Sequence, residues 1–445
     1  MSDTASNRKK TTLLSLLKEP TDRPVEDEKS VGWLNITLIK VGVFISLPGF
    51  VTGVKVGNAV GFYESIYAFL IAGIILGCLA SFCGTVGSKT KLSTYMITQY
   101  AFGTRGALLI NIIIAISLFG WFGINTALFG SAVLTAVGGA GSEAQIAYSV
   151  VGGLLMVATA VFGFKALDKV SQLAVPLLFA GLFILVYVSV SKIGMTKIVA
   201  PVPNSMSLGN AISAVVGGSV IGTVIFPDIC RYARTFKHGV IAAILTFTVA
   251  KPIILMTSAV PSLATGHRDI MEILNSLNLG VMALAIVVFT TWTSNNGNLY
   301  GASLSLSTIF KQFKYWQLVL ISGTVGTLLA VFGVMEHFIP FLHLLGISIP
   351  PVAGIYIVHF YILNGGVYNE QMLRSNPPIN LDAIFAWCTA CVLAYCTLKG
   401  YFSLTTVPAM DALLTAGVSF FVLSKIGFSS IYWKPKNADS SKNDR

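Results

Sequence analysis

Long stretches of this chain carry no charge: Asp, Glu, Lys and Arg are absent from residues 106–142, 273–310 and 337–369. Each stretch can hold one or two membrane-crossing helices of about 20 apolar residues. Runs such as 108–116 are apolar on every face, whereas barrel strands alternate in polarity over about ten residues. The pattern predicts an all-α integral membrane protein. Its spans are read at 33–54, 63–87, 106–136, 146–164, 170–191, 209–230, 238–262, 279–309, 316–335, 339–361, 381–398 and 407–425, about twelve in all.

Composition agrees. The 445 residues are 54% hydrophobic and 11% charged, with a mean hydropathy of +0.78, far from the roughly 25% charged residues of soluble chains. The net charge of +11 does not predict nucleic-acid binding, because Lys and Arg sit in the tails and at regular intervals in short loops. With the N-terminus inside, the inward segments hold Lys89, Arg105, Lys165, Arg231, Arg234, Lys311 and Lys314, and most of the basic residues with them. Residues 1–32 and 426–445 read as cytoplasmic tails, and 33–425 as a single transporter domain in a cell (inner or plasma) membrane, working as a monomer among lipids. No signal-peptide core occurs near the N-terminus; residues 11–17 could lie as a short amphipathic helix on the inner surface. The six cysteines fall in or beside spans and imply no disulfide framework, and the Cys388/Cys391 pair lacks partners for a zinc site.

Two spans contain backbone that a continuous helix would not choose, Ser46-Leu47-Pro48-Gly49 in the first and Gly217-Gly218-Ser219 with Gly222 and Pro227 in the sixth. Interruptions at matching places in two halves point to an inverted-repeat transporter, since unwound backbone survives at mid-membrane only where it lines a cavity. The eighth span holds the densest polar run, Thr290-Thr291-Trp292-Thr293-Ser294-Asn295-Asn296-Gly297-Asn298. Thr293 and Ser294 offer hard oxygen ligands to a small cation, and Asn295 offers a donor and an acceptor to a planar ring. In the third span Trp121 and Asn125 share a helix face, so an indole could stack a flat ring whose rim the amide bonds.

These features resemble the nucleobase:cation symporter family, and within it the cytosine permease branch, from about residue 33 to 425. The likeness is carried by Ala101-Phe102-Gly103-Thr104-Arg105-Gly106, Gly120-Trp121-Phe122-Gly123, Asp228 with Arg231 and Arg234, Trp292-Thr293-Ser294-Asn295, and Ile349-Pro350-Pro351-Val352-Ala353-Gly354. The resemblance implies a leucine-transporter-type fold. Inverted repeats would cover about 33–191 and 209–361, with discontinuous helices 1 and 6 and extra helices at 381–425. It also implies alternating access and a sodium ion held by carbonyls of Val41, Phe44 and Thr290 and hydroxyls of Thr293 and Ser294. A heterocycle would stack on Trp121 and bond to Asn295. Three positions that would touch cytosine depart from the pattern, Ile45, Leu118 and Ser219, which favours another ring such as a purine, a hydantoin or a vitamin precursor. His359 stands where the family commonly has an acidic residue.

Lys40 and Lys251 also depart. Lys40 can snorkel to the inner end of its span or remain inside, whereas Lys251 lies too deep to snorkel inward. Both are candidates for coupling, with an ammonium replacing or competing with sodium so that protons drive uptake or none do. No cofactor is expected beyond a coupling cation, Na+ or H+. Rival classes lack their signatures: there is no zinc-protease motif, hydrolase elbow, intramembrane carboxylate pair, filter loop or phosphate-cradling loop, so enzyme, channel and ATP-driven pump are all disfavoured.

Overall fold

A computed structural model describes residues 23–203 and 205–427 of the chain; residues 11–17 lie outside them. The principal helices are α1 (Trp33–Phe44), α2 (Leu47–Val60), α3 (Phe62–Thr90), α4 (Thr94–Phe102), α5 (Gly106–Ala136), α6 (Ser142–Ala160), α7 (Phe164–Ile193), α8 (Leu208–Val224), α9 (Pro227–Cys230), α10 (Phe236–Thr265), α11 (Gly280–Ile309), α12 (Tyr315–Val331), α13 (Pro340–Leu363), α14 (Leu381–Leu398) and α15 (Pro408–Ile426). Among the described residues nine helices are long and apolar enough to cross a membrane, and the bent pair α1–α2 adds a tenth. Their outer faces carry large apolar side chains at Tyr67, Leu154, Leu173 and Val392, which suits lipid contact and would be a liability in water.

The first span breaks where its sequence says it should. Ile45 donates its N–H to Val41 O at 2.9 Å and ends α1. Ser46 is extended, and its Oγ accepts the Gly49 N–H at 3.2 Å, capping α2. Pro48, in the first turn of α2, has no N–H to leave unpaired. The halves meet at 67°, and the second runs to Val60, beyond the expected end at residue 54.

The sixth span corrects the expectation. Gly217 and Gly218 lie inside the continuous helix α8, and the interruption comes later, at Ile225 and Phe226, before Pro227 opens α9. A helical glycine costs only about 1 kcal/mol, which neighbouring helices can offset; a proline removes a backbone donor outright. Tyr356 on α13 satisfies the end of α8 by donating its hydroxyl to Val224 O at 2.8 Å.

The seventh span widens into a π-helical turn at Ile244–Ala250, just before Lys251 and Pro252. Pro252 cannot donate to the helical ladder and its ring crowds the carbonyl four residues back, so the turn loosens there. Helix α4 was not expected: it occupies the connection between the second and third spans. It is tied in by Asn111, which accepts from the Thr98 hydroxyl and donates to Thr308 on α11, both at 2.9 Å.

Two groups of helices enclose the centre. Helix α2 runs along α10, and α3 along α8 and α10; on the other side α5 runs along α11, with α6 and α12 behind. Helix α1 touches both groups, while α14 and α15 pair with each other against α13 at the periphery. Close approach needs glycine at two contacts: a Cβ on Gly53 would meet Ser258 Oγ at 1.9 Å and Leu255 O at 2.6 Å, and one on Gly297 would meet Val43 at 2.5 Å. A Cβ on Gly217 would meet nothing within 4 Å. Gly53→Ala is therefore expected to destabilise the purified protein by about 1–3 kcal/mol, whereas Gly217→Ala should be neutral or gain up to about 1 kcal/mol. Thermal unfolding in detergent compares the two.

Candidate functional site

A cavity of about 460 Å³ opens beside the break in the first span, between the two groups of helices. It extends from buried Asp228 and Tyr300 to exposed Lys55 and Asn210. Gly217, Gly218 and Ser219 form one wall, so the glycines of α8 supply room for a ligand and not a break in the helix.

Helix α5 presents Leu118, Trp121 and Asn125 to the cavity, at i, i+3 and i+7 on one face. Trp121 is held edge-to-face by Phe341 and Phe338 at centroid distances of 5.7 and 6.2 Å. Its indole N–H and the Asn125 Oδ1 are buried without hydrogen-bond partners among the described residues. Asn125 uses its other amide atom, donating to Trp121 O at 3.0 Å and to Ser294 Oγ at 3.3 Å. A flat face with an unpaired donor and an unpaired acceptor beside it is what a polar aromatic ring would complete; burial without a partner is costly.

Two expected ring contacts lie elsewhere. Asn295 points away from the cavity into α5 and α6: its amide donates to Thr126 Oγ1 at 3.0 Å and Phe122 O at 3.2 Å, and its Oδ1 accepts from Asn298 at 3.1 Å. Asn298, one turn on, is the asparagine of this run on the cavity wall. Ile45 also turns off the cavity, because ending α1 at Phe44 swings it toward a void of about 10 Å³ that it shares with Ser46, Thr257 and Thr290. Phe44 takes the cavity side instead.

The expected cation ligands gather only partly. The Thr293 hydroxyl lies 2.8 Å from Gly42 O, 2.9 Å from Phe289 O and 3.1 Å from Thr290 O, so α1 and α11 meet there through oxygen. Val41 O is engaged by the Ile45 N–H, and Ser294 faces Asn125. The Thr293 hydroxyl and the carbonyls of Gly42, Phe289 and Thr290 are hard, uncharged oxygens of the chemical type a small monovalent cation takes. Gly42 was missed by sequence reading, since any residue can supply a carbonyl.

Both central lysines are buried, Lys40 at 3% and Lys251 at 4% exposure, and both line the cavity. Lys40 has not snorkelled: its Nζ lies 5.5 Å from the Phe44 ring centre and 5.8 Å from that of Phe226. Lys251 Nζ lies 4.7 Å from the same Phe44 ring. His359 is remote from the cavity and bonds to the Tyr368 hydroxyl at 2.7 Å through Nδ1.

The end of the cavity at Asp228 is sealed. Asp228 accepts the Thr94 N–H at 2.7 Å, and fully buried Arg231 donates to the Tyr300 hydroxyl at 2.8 Å. Outside them, the segment before α1 is strapped down: Val31 N–H donates to Tyr232 O at 2.7 Å, and Lys91 Nζ to Ala233 O at 2.7 Å.

Residues 24–423 match the family described as permease for cytosine/purines, uracil, thiamine, allantoin. The chain is 28% identical to the cytosine permease of Escherichia coli (strain K12) over 405 residues, 91% of this chain and 93% of that one. It is 24% identical to the hydantoin permease of Microbacterium maritypicum over 380 residues, 78% of this chain and 76% of that protein. Among solved structures it resembles Mhp1, a nucleobase-cation-symport-1 family transporter in a closed conformation with bromovinylhydantoin bound. The TM-score is 0.81 at 18% identity, covering 93% of this chain and 96% of that one. A Na+-coupled sialic acid symporter shares the fold more distantly, with a TM-score of 0.66 at 13% identity over 91% of this chain and 90% of that one. With its all-helical fold and a central cavity beside a broken first helix, the chain belongs to the permease family for cytosine, purines, uracil, thiamine and allantoin, a family of multi-pass membrane transporters and not of enzymes.

Proposed function

We propose that this protein is a secondary active transporter that imports a planar, nucleobase-like heterocycle by cation symport and alternating access. The observation that carries the reading is the cavity beside the broken first span, where the unpaired Trp121 N–H and Asn125 Oδ1 stand together. The ring stacks on Trp121, its rim bonds to Asn125 and Asn298, and Leu118 and Ser219 set the fit. Leu118 offers no hydrogen bond, which favours a ring whose polar atoms converge on one edge. The relatives that carry cytosine and hydantoin support this class of substrate without fixing the member.

Sodium is the favoured coupling ion. Thr290 and Thr293 with the Gly42 carbonyl of α1 would hold it, so that its binding fastens α1 to α11 and favours the substrate-ready cavity. Neither lysine ammonium hydrogen-bonds to this oxygen cluster, which speaks against an ammonium standing in for the ion. We further propose twelve spans within residues 33–425, repeats at 33–191 and 209–361, and both tails on the cytoplasmic side of an inner or plasma membrane. In that orientation the sealed end faces inward and the cavity outward.

Trp121→Ala should weaken binding of the best ring ligand by about 10²-fold through lost stacking while leaving the protein folded, as thermal shift and isothermal calorimetry would show. Wild-type affinity in a folded Trp121→Ala protein would remove the site from this cavity. Thr293→Ala should cut stimulation of proteoliposome uptake by sodium over potassium by about tenfold or more, from the loss of an ion ligand. Unchanged stimulation would place the ion elsewhere.

A further inference from the structure

The cavity has an unusual charge balance for one that would hold a neutral ring. Three lysines line it, Lys40, Lys55 and Lys251, against one carboxylate, Asp228. Asp228 accepts the Thr94 N–H with one oxygen, and its other oxygen is buried without a hydrogen-bond partner among the described residues. Lys251 is different. It is 4% exposed and has no hydrogen bond or ion pair among the described residues. Its close partner among the described residues is the Phe44 ring, whose attraction for a cation falls short of what burying an ion costs.

Its position makes the mismatch sharper. A Cβ built on Gly49 would lie 3.8 Å from Lys251 Nζ, so the ammonium stands at the first turn of the 14-residue helix α2. A helix N-terminus carries partial positive charge and attracts anions. Here it meets a second cation. Lys40 lies near the same Phe44 ring, with its Nζ 3.5 Å from a Cβ built on Gly222. Two ammonium groups and a positive helix end gather around one ring, while a single carboxylate, Asp228, lines the cavity; around Lys251 this forms a receptor that lacks its anion.

We infer that the transported heterocycle is anionic, a planar ring bearing a carboxylate or an equally acidic ring group, with that group seated between Lys251 and the N-terminus of α2. The inference rests on the reading of this cavity as a heterocycle site and narrows its substrate class. The ring stacks on Trp121 while the anionic group reaches across the break of the first span. Lys40 sets the total charge from the sealed side of the cavity.

The test uses full-length protein purified in detergent with sodium present, and matched pairs of probes: uracil against uracil-6-carboxylate, and hydantoin against hydantoin-5-acetate. In wild type the carboxylated member of at least one pair should bind about tenfold or more tightly than its parent, as a charge-assisted contact allows. Lys251→Gln should reduce that preference to within about threefold while Lys251→Arg keeps most of it, the charge being what counts. Neutral rings that bind well while every carboxylated partner is rejected would overturn the anionic assignment and leave the heterocycle reading standing. A carboxylate preference unchanged in folded Lys251→Gln would also overturn it. Failure of all four probes, and of a wider set of neutral and acidic rings, would bring down the heterocycle reading and this inference together.

Discussion

Everything at the centre of this protein follows from one constraint: a helix interrupted inside a membrane exposes backbone groups that lipid cannot satisfy. At Ser46 the chain stops being helical, and each freed group must find a partner within the protein. Ser46 caps the start of α2 with its own side chain, and the Thr293 hydroxyl meets Gly42 O across the α1–α11 contact. The same logic recurs at the end of α8, where Tyr356 reaches the Val224 carbonyl. Polar side chains on α11 and α13 are thus placed by the breaks they serve, and the cavity is the space those breaks leave.

Much of this was legible in the sequence, because the driving signals were strong. Uncharged apolar runs locate the helices to within a few residues, and Ser46-Leu47-Pro48-Gly49 contains both the cap and the proline that stop and restart a helix. The sixth span misled because two glycines look like a break, although the packing of α8 against α3 keeps them helical. Asn295 and Asn298 could not be told apart from composition: they share a run, and which of them faces the cavity depends on the rotation of α11, fixed by its contacts with α5 and α1. Ile45 was displaced for a similar reason, since its direction is set by how α1 ends. Carbonyl ligands such as that of Gly42 leave no mark in a sequence at all.

Charge in the membrane interior is handled in two contrasting ways. At the sealed end, Arg231 donates to the Tyr300 hydroxyl and Asp228 accepts the Thr94 N–H, so both charges are tied to neighbouring elements. Around Phe44 the two lysines face aromatic rings, Lys251 that of Phe44 and Lys40 those of Phe44 and Phe226. Helix α2 and helix α10 are locked by contacts that leave no room for a side chain at Gly53, so Lys251 keeps its place relative to α2 whichever way the first span bends. Lys40, on α1, belongs to the other half of that span.

The strap at the sealed end also bears on how the protein is made. Val31 pairs with the backbone around Ala233, a stretch that leaves the ribosome only after about 200 further residues have been added. At roughly 5–20 residues per second, the segment ahead of α1 waits on the order of tens of seconds before its partner exists. During that interval the first broken helix also lacks α11 and its Thr293 hydroxyl. The early half of the chain must therefore sit in the insertion machinery or among lipids with its break unfastened, which makes biogenesis, more than the finished fold, the stage at which this chain is most exposed to misassembly.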